Sequence, residues 1–429
     1  MDNFIKEEFP RSWYEATAHQ RIEHPQLTEE VQADICVIGA GATGCTAALQ
    51  LAKKGYKVIV LEAHRAGWGA SGRNGGQFIS GYSCSMDTIE KLAGPKNGQF
   101  FMDASLESLE LLKSTVKDYN IDCDLKLGQL AAAIKPAHDK DIQETLEVYE
   151  KYGYKDCQYI PKDKVREYLA TDRYMSMMMD PLSGHLHPLN LNLGLARAAV
   201  QEGAEIYENS PALSYKNENG TVEITTPSGK VKAKYLILAG NAYLKGLNSS
   251  IENKVMPVGT YIAATEPMSA EEAKSIIQQD TAVCDLNFVL DYYRLSSDNR
   301  MLYGGRVSYS TIDPPSIANS IRKRMVWTFP QLESKKIEYD WGGYVAITMN
   351  RAPHFGRVGN NVLFAQGFSG HGVALTLYAG KLMAETISGQ EEKFAMFEKI
   401  PHVSFPGGRL FRTPMLVLAM SYYKLRDYF

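Results

Sequence analysis

The sequence predicts an α/β protein: a Rossmann-type nucleotide-binding domain, split along the chain, with an inserted antiparallel β-sheet domain for the substrate. Three observations carry this. A short apolar run, "ADICVI" (33–38), meets the glycine-spaced "GAGATG" and then a helical pattern. Further strand-and-helix pairs return only in the middle and at the end of the chain. Between Met256 and Tyr309 the pattern changes to alternating, aromatic-rich segments of the antiparallel kind.

The elements follow in order. "ADICVI" is short, apolar and β-branched, as buried parallel strands are. "CTAALQLAKKG" has helical spacing and stops at Gly55. "YKVIVLE" supplies the next strand, which ends on Glu62, so the three make a βαβ unit. Within it, Gly39 permits the tight turn, Gly41 lets a pyrophosphate approach the main chain, and Gly44 lets helix and strand pack closely. The helix start at Ala42 and Thr43 offers free N–H groups to phosphate. Glu62, followed by Ala63, is placed to accept hydrogen bonds from a ribose diol and would repel a 2′-phosphate.

Helical patterns resume at 103–120 and 140–153. "LNLGLARAAVQEGAEIYE" reads as helix then strand, and "GTVEITTPSG" with "KVKAKYLILAG" as a hairpin running into a buried strand that ends at Gly240. The β-rich region holds "MPVGTYIAATEPM", "NFVLDYYRLSS" and "RMLYGGRVSYS", interrupted by the helical "SAEEAKSIIQQ". "ANSIRKRMVWTFPQLES" reads as helix, and the last pair is the strand "NVLFAQG" and the helix "VALTLYAGKLMAETISG". Residues 31–85, 180–250 and 340–390 are therefore assigned to the nucleotide domain, 86–179 and 251–339 to the substrate domain, and 391–429 to a C-terminal tail. In that tail "PMLVLAM" (414–420) predicts a helix packed on the body.

Composition narrows the class. The 429 residues are 45% hydrophobic and 22% charged, ordinary for a globular protein. A net charge of -3 gives no electrostatic reason to expect nucleic acid. No apolar run approaches the roughly 20 residues of a transmembrane helix, and the N-terminus lacks a signal-like apolar stretch. Six cysteines are scattered without C-x-x-C spacing, so reduced thiols and a cytoplasmic location are expected. His185 and His187 form an H-x-H, but no third ligand can be named, so no metal is expected. His187, just before Pro188, is expected to cap the next helix or line the pocket. Met177, Met178 and Met179 read as core filler.

G-x-G-x-x-G alone does not separate NAD from FAD. Two further glycine-rich loops do: "GWGASGRNGGQ" (67–77) and "GFSGHGVAL" (367–375). Together with "LILAG" they set glycine-punctuated strand ends around a long ligand with a planar end. A helix opening after 372 would stabilise the negative charge of a reduced flavin.

The order "GAGATG … LEA … GASGRNGG … TEP … GFSGHGVAL" resembles the D-amino-acid-oxidase/sarcosine-oxidase superfamily of FAD-dependent amine oxidoreductases. With "SWYEATA", "YYRLSSDNRMLYGG", "WGGYVAITMNRAPHFGRVGNNV" and "FPGGRLFRTP" it is most similar to the γ-glutamylputrescine-oxidising branch. The resemblance implies a glutathione-reductase-like FAD domain roofed by a β-sheet. The implied cofactor contacts are Gly39, Gly41, Ala42, Thr43, Gly44, Glu62 and Ala63 in the first unit, then Ser71, Gly72, Arg73, Asn74, Gly75 and Gly76. Ala212, Gly240 and Gly343 follow, with Gly367, Phe368, Ser369, Gly370, His371, Gly372 and Val373 in the last loop. His371, between glycines, is expected to place backbone. Some relatives attach FAD through a cysteine shortly before that loop. This chain has none after Cys284, so non-covalent FAD is expected.

The implied reaction is oxidation of a primary amine, such as γ-glutamylputrescine, by hydride transfer to flavin N5. The imine then hydrolyses to aldehyde and ammonia, and oxygen or another acceptor takes the electrons. A D-amino-acid, glycine or sarcosine oxidase on the same fold is the alternative, and a non-catalytic FAD-binding protein is another. No indispensable acid–base residue is expected, because the flavin carries the chemistry. Tyr292, Tyr293 and Arg294 on a roof strand, and Trp341, Arg351 and His354 further on, are candidates to line the substrate channel. Arg73, Arg294 and Arg351 are candidate partners for the substrate's distant carboxylate.

Overall fold

The computed structural model describes residues 10–19, 21–244, 246–287, 289–308 and 316–406. The helix expected at 414–420 lies outside them. Two sheets organise the chain.

The first is centred on Glu30–Ile38, flanked in parallel by Val58–Leu61 and Lys230–Leu238. Glu205–Tyr207 and Val362–Gln366 extend it in parallel on either side. His354–Val358 adds an antiparallel edge. The hairpin of Ser214–Glu218 and Thr221–Thr225 pairs with the start of Lys230–Leu238. Both faces are covered around 35–38, 58–61 and 236–238, which is why these stretches are continuously apolar. Ile35, Val37, Val58, Val60 and Ile237 face one core. Cys36, Ile59, Leu61, Leu236 and Leu238 face another. Helices Ala42–Ala52 and Val373–Ile387 cross in close contact on the first face. A Cβ on Gly380 would stand 2.6 Å from the Thr43 carbonyl oxygen.

The second sheet runs Ile337–Ile347, Met256–Thr265, Met301–Ser308, Tyr292–Leu295, Ala282–Asp285, Lys126–Ala133, Ser176–His185 and Gln77–Phe78, with Gln158–Pro161 also on Ser176–His185. It is not purely antiparallel as expected, since Ala282–Asp285 and Lys126–Ala133 pair in parallel where two separate insertions meet. The expected boundaries at 85, 180 and 340 also shift. Gln77–Phe78, Ser176–His185 and Ile337–Ile347 all hydrogen-bond within this sheet. Its outer face buries Leu130, Met177, Val283, Tyr293 and Tyr303 against helices Ala270–Ile276 and Ile317–Thr328.

A short N-terminal helix, Trp13–Ala16, is capped by Ser12, whose hydroxyl accepts from the Glu15 amide at 3.1 Å. Trp13 and Tyr14 are buried with Trp68, Leu189, Leu302 and Trp341, so the segment packs against the second sheet, the helix that starts at Pro188 and the loop at 68.

Candidate cofactor and substrate cleft

A cleft of about 1070 Å³ opens between the two sheets. Its floor comes from the strand ends of the first sheet. Gly39 holds φ +107°, and a Cβ there would meet the Ala239 carbonyl oxygen at 3.1 Å. The helix that follows has Gly41 at its N-cap, which has no side chain to cap it, and Ala42 and Thr43 of its first turn line the cleft. The Ala42 amide donates to Ser71 Oγ at 2.9 Å. Glu62 is held by the amides of Ala40 (2.8 Å) and His64 (2.9 Å), while burial raises its pKa. The helix Val373–Ile387 likewise starts uncapped, at Gly372.

Of the residues expected at the cofactor, all but Gly44, Gly72, Gly76 and Gly367 line this cleft. Those four are glycines because protein, not ligand, is pressed against them. A Cβ on Gly44 would lie 1.9 Å from the Gly39 carbonyl oxygen, and one on Gly72 2.2 Å from that of Gly67. On Gly76 it would stand 2.1 Å from the Leu186 oxygen, and on Gly367 2.4 Å from Thr348 Cγ2. Asn74 folds its own loop: Nδ2 donates to the Ala70 and Ser71 carbonyls at 3.0 Å, and Oδ1 accepts from the Gly76 amide at 2.8 Å. Arg73 lays its guanidinium 4.2 Å from the centre of the Trp68 ring, and Nε donates to the Trp68 carbonyl at 2.6 Å. His371 does more than place backbone. Its Nε2 donates to the carbonyls of Ser80 (2.8 Å) and Ile79 (3.1 Å), tying the last loop to the strand end after 78. Burial lowers its pKa.

The roof is the inner face of the second sheet, where Met178, Ala131, Cys284 and Tyr292 sit opposite one another in register. Among the six substrate-channel candidates only Tyr292 and Arg351 line the cleft. Tyr292 lies in a slot between two glycines: a Cβ on Gly75 would meet its ring at 2.7 Å and one on Gly304 at 2.2 Å. Burial pushes its hydroxyl pKa up. Tyr293 is a correction: one residue along a strand is the opposite face, and it stacks on Tyr303 at 5.2 Å in the outer core. Arg294 is turned into the protein, where it donates to carbonyl oxygens. It is therefore no carboxylate partner for a substrate. Trp341 is 2% exposed, its Nε1 donating to the Arg73 carbonyl. His354 is buried at the edge of the first sheet, with Gln366 at 3.1 Å and the His402 ring tilted against it at 4.3 Å. Of the H-x-H pair, His187 caps the helix Pro188–Gln201, accepting from the Asn190 amide at 3.1 Å. Among the described residues no cluster of His, Cys, Asp or Glu could hold a metal ion.

Several lining residues were not singled out from sequence. Asp180, 1% exposed, accepts from Ser80 and Ser183 hydroxyls at 2.6 Å, from the Leu182 and Ser183 amides, and from Tyr154. Gln129 Nε2 reaches Cys284 Sγ at 2.9 Å. Asp285 anchors the loop to 291 by accepting two amides and Arg173. The alternation of "KLGQLAAA" and "SMMMDPLSGH" was the available signal, and it is weak in both.

Fold and cleft define a dinucleotide-binding oxidoreductase, and residues 34–386 match the family model of FAD dependent oxidoreductases (DAO), to which the chain belongs. It is 41% identical over 421 residues, 98% of this chain and 99% of the relative, to gamma-glutamylputrescine oxidoreductase of Escherichia coli (strain K12). It is 42% identical over 432 residues, 100% of this chain and 99% of the relative, to the probable oxidoreductase OrdL of Haemophilus influenzae. Among solved structures, glycine oxidase from Geobacillus kaustophilus superposes with a TM-score of 0.73 at 21% identity, covering 87% of this chain and 100% of that one. The residues fit the family's cofactor. The uncapped helix starts, the buried carboxylate Glu62 and the glycine cradle suit the phosphates, ribose and ring of FAD. The protein is an FAD-dependent oxidoreductase.

Proposed function

We propose that the protein oxidises the primary amine of a γ-glutamyl polyamine, such as γ-glutamylputrescine, to an aldehyde and ammonia, with FAD held non-covalently. One observation carries this reading: the glycine loops, the roof side chain Tyr292 and the turn residue Arg351 share one cleft, in a chain 41% identical over its length to an enzyme named for that substrate.

Bound FAD supplies the oxidant, taking two electrons and the hydrogen from the carbon next to nitrogen. The chain's own residues bind, orient and desolvate. Only the neutral amine has a lone pair to assist, and an alkylammonium has a pKa near 10.4 by analogy with lysine. The inner roof face of Met178, Ala131 and Cys284 favours loss of that proton by desolvation. Among the described residues the arginines that line the cleft are Arg351 and Arg73, and a guanidinium binds a carboxylate bidentately. Arg351 is assigned to the γ-glutamyl end. The product imine then takes up water and releases ammonia.

The test is turnover with γ-glutamylputrescine, free putrescine, sarcosine, glycine and D-alanine. The γ-glutamyl compound is expected to exceed putrescine in kcat/KM by roughly 10- to 100-fold, the worth of one charge-assisted contact. Equal turnover of putrescine, or preference for an amino acid, would overturn the assignment. Arg351→Met is expected to raise KM for γ-glutamylputrescine and leave that for putrescine unchanged.

A further inference from the structure

Arg294 and Trp341 do not reach the cleft, yet both end on the loop that lines it. Trp341 Nε1 donates to the Arg73 carbonyl at 3.0 Å. Arg294 Nε donates to the Gly75 carbonyl at 2.8 Å, and Nη2 donates to the Leu186 carbonyl at 2.8 Å. The same Nη2 lies 3.2 Å from the Tyr14 hydroxyl, and Nη1 donates to Leu295 oxygen at 3.1 Å. Arg294 is 2% exposed and has no carboxylate within ion-pair distance among the described residues. A buried cation without an anion is costly, so a purely packing role would favour an apolar residue. What only a guanidinium does here is reach several carbonyl oxygens at once in a fixed fork.

The consequence falls on the peptide units between them. In a trans peptide a C=O held to one side turns the following N–H to the other. Trp341 fixes the plane of Arg73–Asn74, and Arg294 fixes that of Gly75–Gly76. The peptide Asn74–Gly75 is clamped at both ends. The amides of Asn74 and Gly75 have no hydrogen-bond partner among the described residues, and both residues line the cleft. Behind the clamp stands the N-terminal segment. Tyr14 is wholly buried, packs edge-on to Trp341 at 5.0 Å and to His187 at 5.0 Å, and offers its hydroxyl to Arg294.

We infer that Arg294 and Trp341, braced by Tyr14, are positioning residues that aim the Asn74 and Gly75 amides at bound FAD. The inference rests on the cofactor and not on the amine, so a failed turnover assay leaves it standing.

Trp341→Phe keeps most of the ring and loses the N–H. Tyr14→Phe loses only the hydroxyl. Each full-length variant is stripped and reconstituted with FAD, and the dissociation constant, the midpoint potential of the bound flavin and the melting temperature of the apoprotein are measured. Trp341→Phe is expected to bind FAD about 2- to 10-fold more weakly, the worth of one neutral hydrogen bond. The flavin potential is expected to shift and the apoprotein melting temperature to hold. Tyr14→Phe is expected to move both quantities the same way by less, and serves alone if Trp341→Phe does not fold. FAD affinity or flavin potential equal to the parent's overturns the inference, even where melting falls, because the residues would then only be packing.

Discussion

The floor and the roof of the cleft are built from different materials. The floor is main chain: Gly39, Gly41, Gly75 and Gly370 present backbone, and the Gly41 and Gly372 helix starts carry no side-chain caps. The roof is side chain: Met178, Cys284 and Tyr292 stand on one face of three neighbouring strand pairs. A backbone cradle cannot change without changing the fold, whereas a strand face can be re-lined residue by residue. The difference teaches that cofactor and substrate recognition are separable here, and substitutions on the two sides should fail in different ways.

The largest effect is expected on the floor. Gly44→Ala drives a Cβ to 1.9 Å from the Gly39 carbonyl oxygen. Helix and strand must part, at a cost of about 3 kcal/mol in urea unfolding, with the flavin lost from the purified protein. On the roof, Asp180→Ala leaves three hydroxyls and two amides without their acceptor. A loss of about 2 to 3 kcal/mol is expected by the same measurement, yet reconstituted FAD should remain bound. Tyr292→Leu is milder for the fold. It should keep full flavin content while kcat/KM falls about 10-fold, and a comparable loss of FAD would break the distinction between the two sides.

Acidity acts on both sides alike. Burial lowers the pKa of His185 and His187, at the roof's end, to about 3 each. It lowers His354 and His402, at the floor's edge, to about 2 and about 4. Each folded pKa lies below the unfolded value near 6.5. Their contribution to stability is therefore complete above pH 6.5 and is lost as pH falls toward 4 and below. Melting temperature should drop through that window. His187→Asn, which can still accept at the helix N-cap, should flatten the drop by the smallest of these effects.

The floor was legible in the sequence because its chemistry is a shortage of side chains, and glycines at fixed offsets between a strand and a helix have few other uses. The same signal misled at Gly72, Gly76 and Gly367, where it is protein that approaches, while Gly44 packs helix against strand as expected. The roof was harder to read. "KLGQLAAA" and "WGGYVAI" are rich in residues with low strand preference, and "SMMMDPLSGH" carries a proline inside a strand. Register parity was the deeper obstacle. Tyr292 and Tyr293 are alike in sequence, and only the pairing of Cys284 with Tyr292 decides which one meets the cleft. Arg294 looked like a carboxylate ligand because its partners are backbone carbonyls from distant segments, Gly75 and Leu186, that no local pattern announces.

The central claim is that one cleft holds FAD on a backbone floor and leaves a side-chain roof for an amine. Anaerobic titration of the purified yellow protein with γ-glutamylputrescine tests it most directly. The account predicts that the oxidised flavin absorbance bleaches fully at one substrate equivalent per flavin and that aldehyde appears in equal amount. A flavin that stays oxidised under γ-glutamylputrescine, with the ligand shown to be bound, would contradict it.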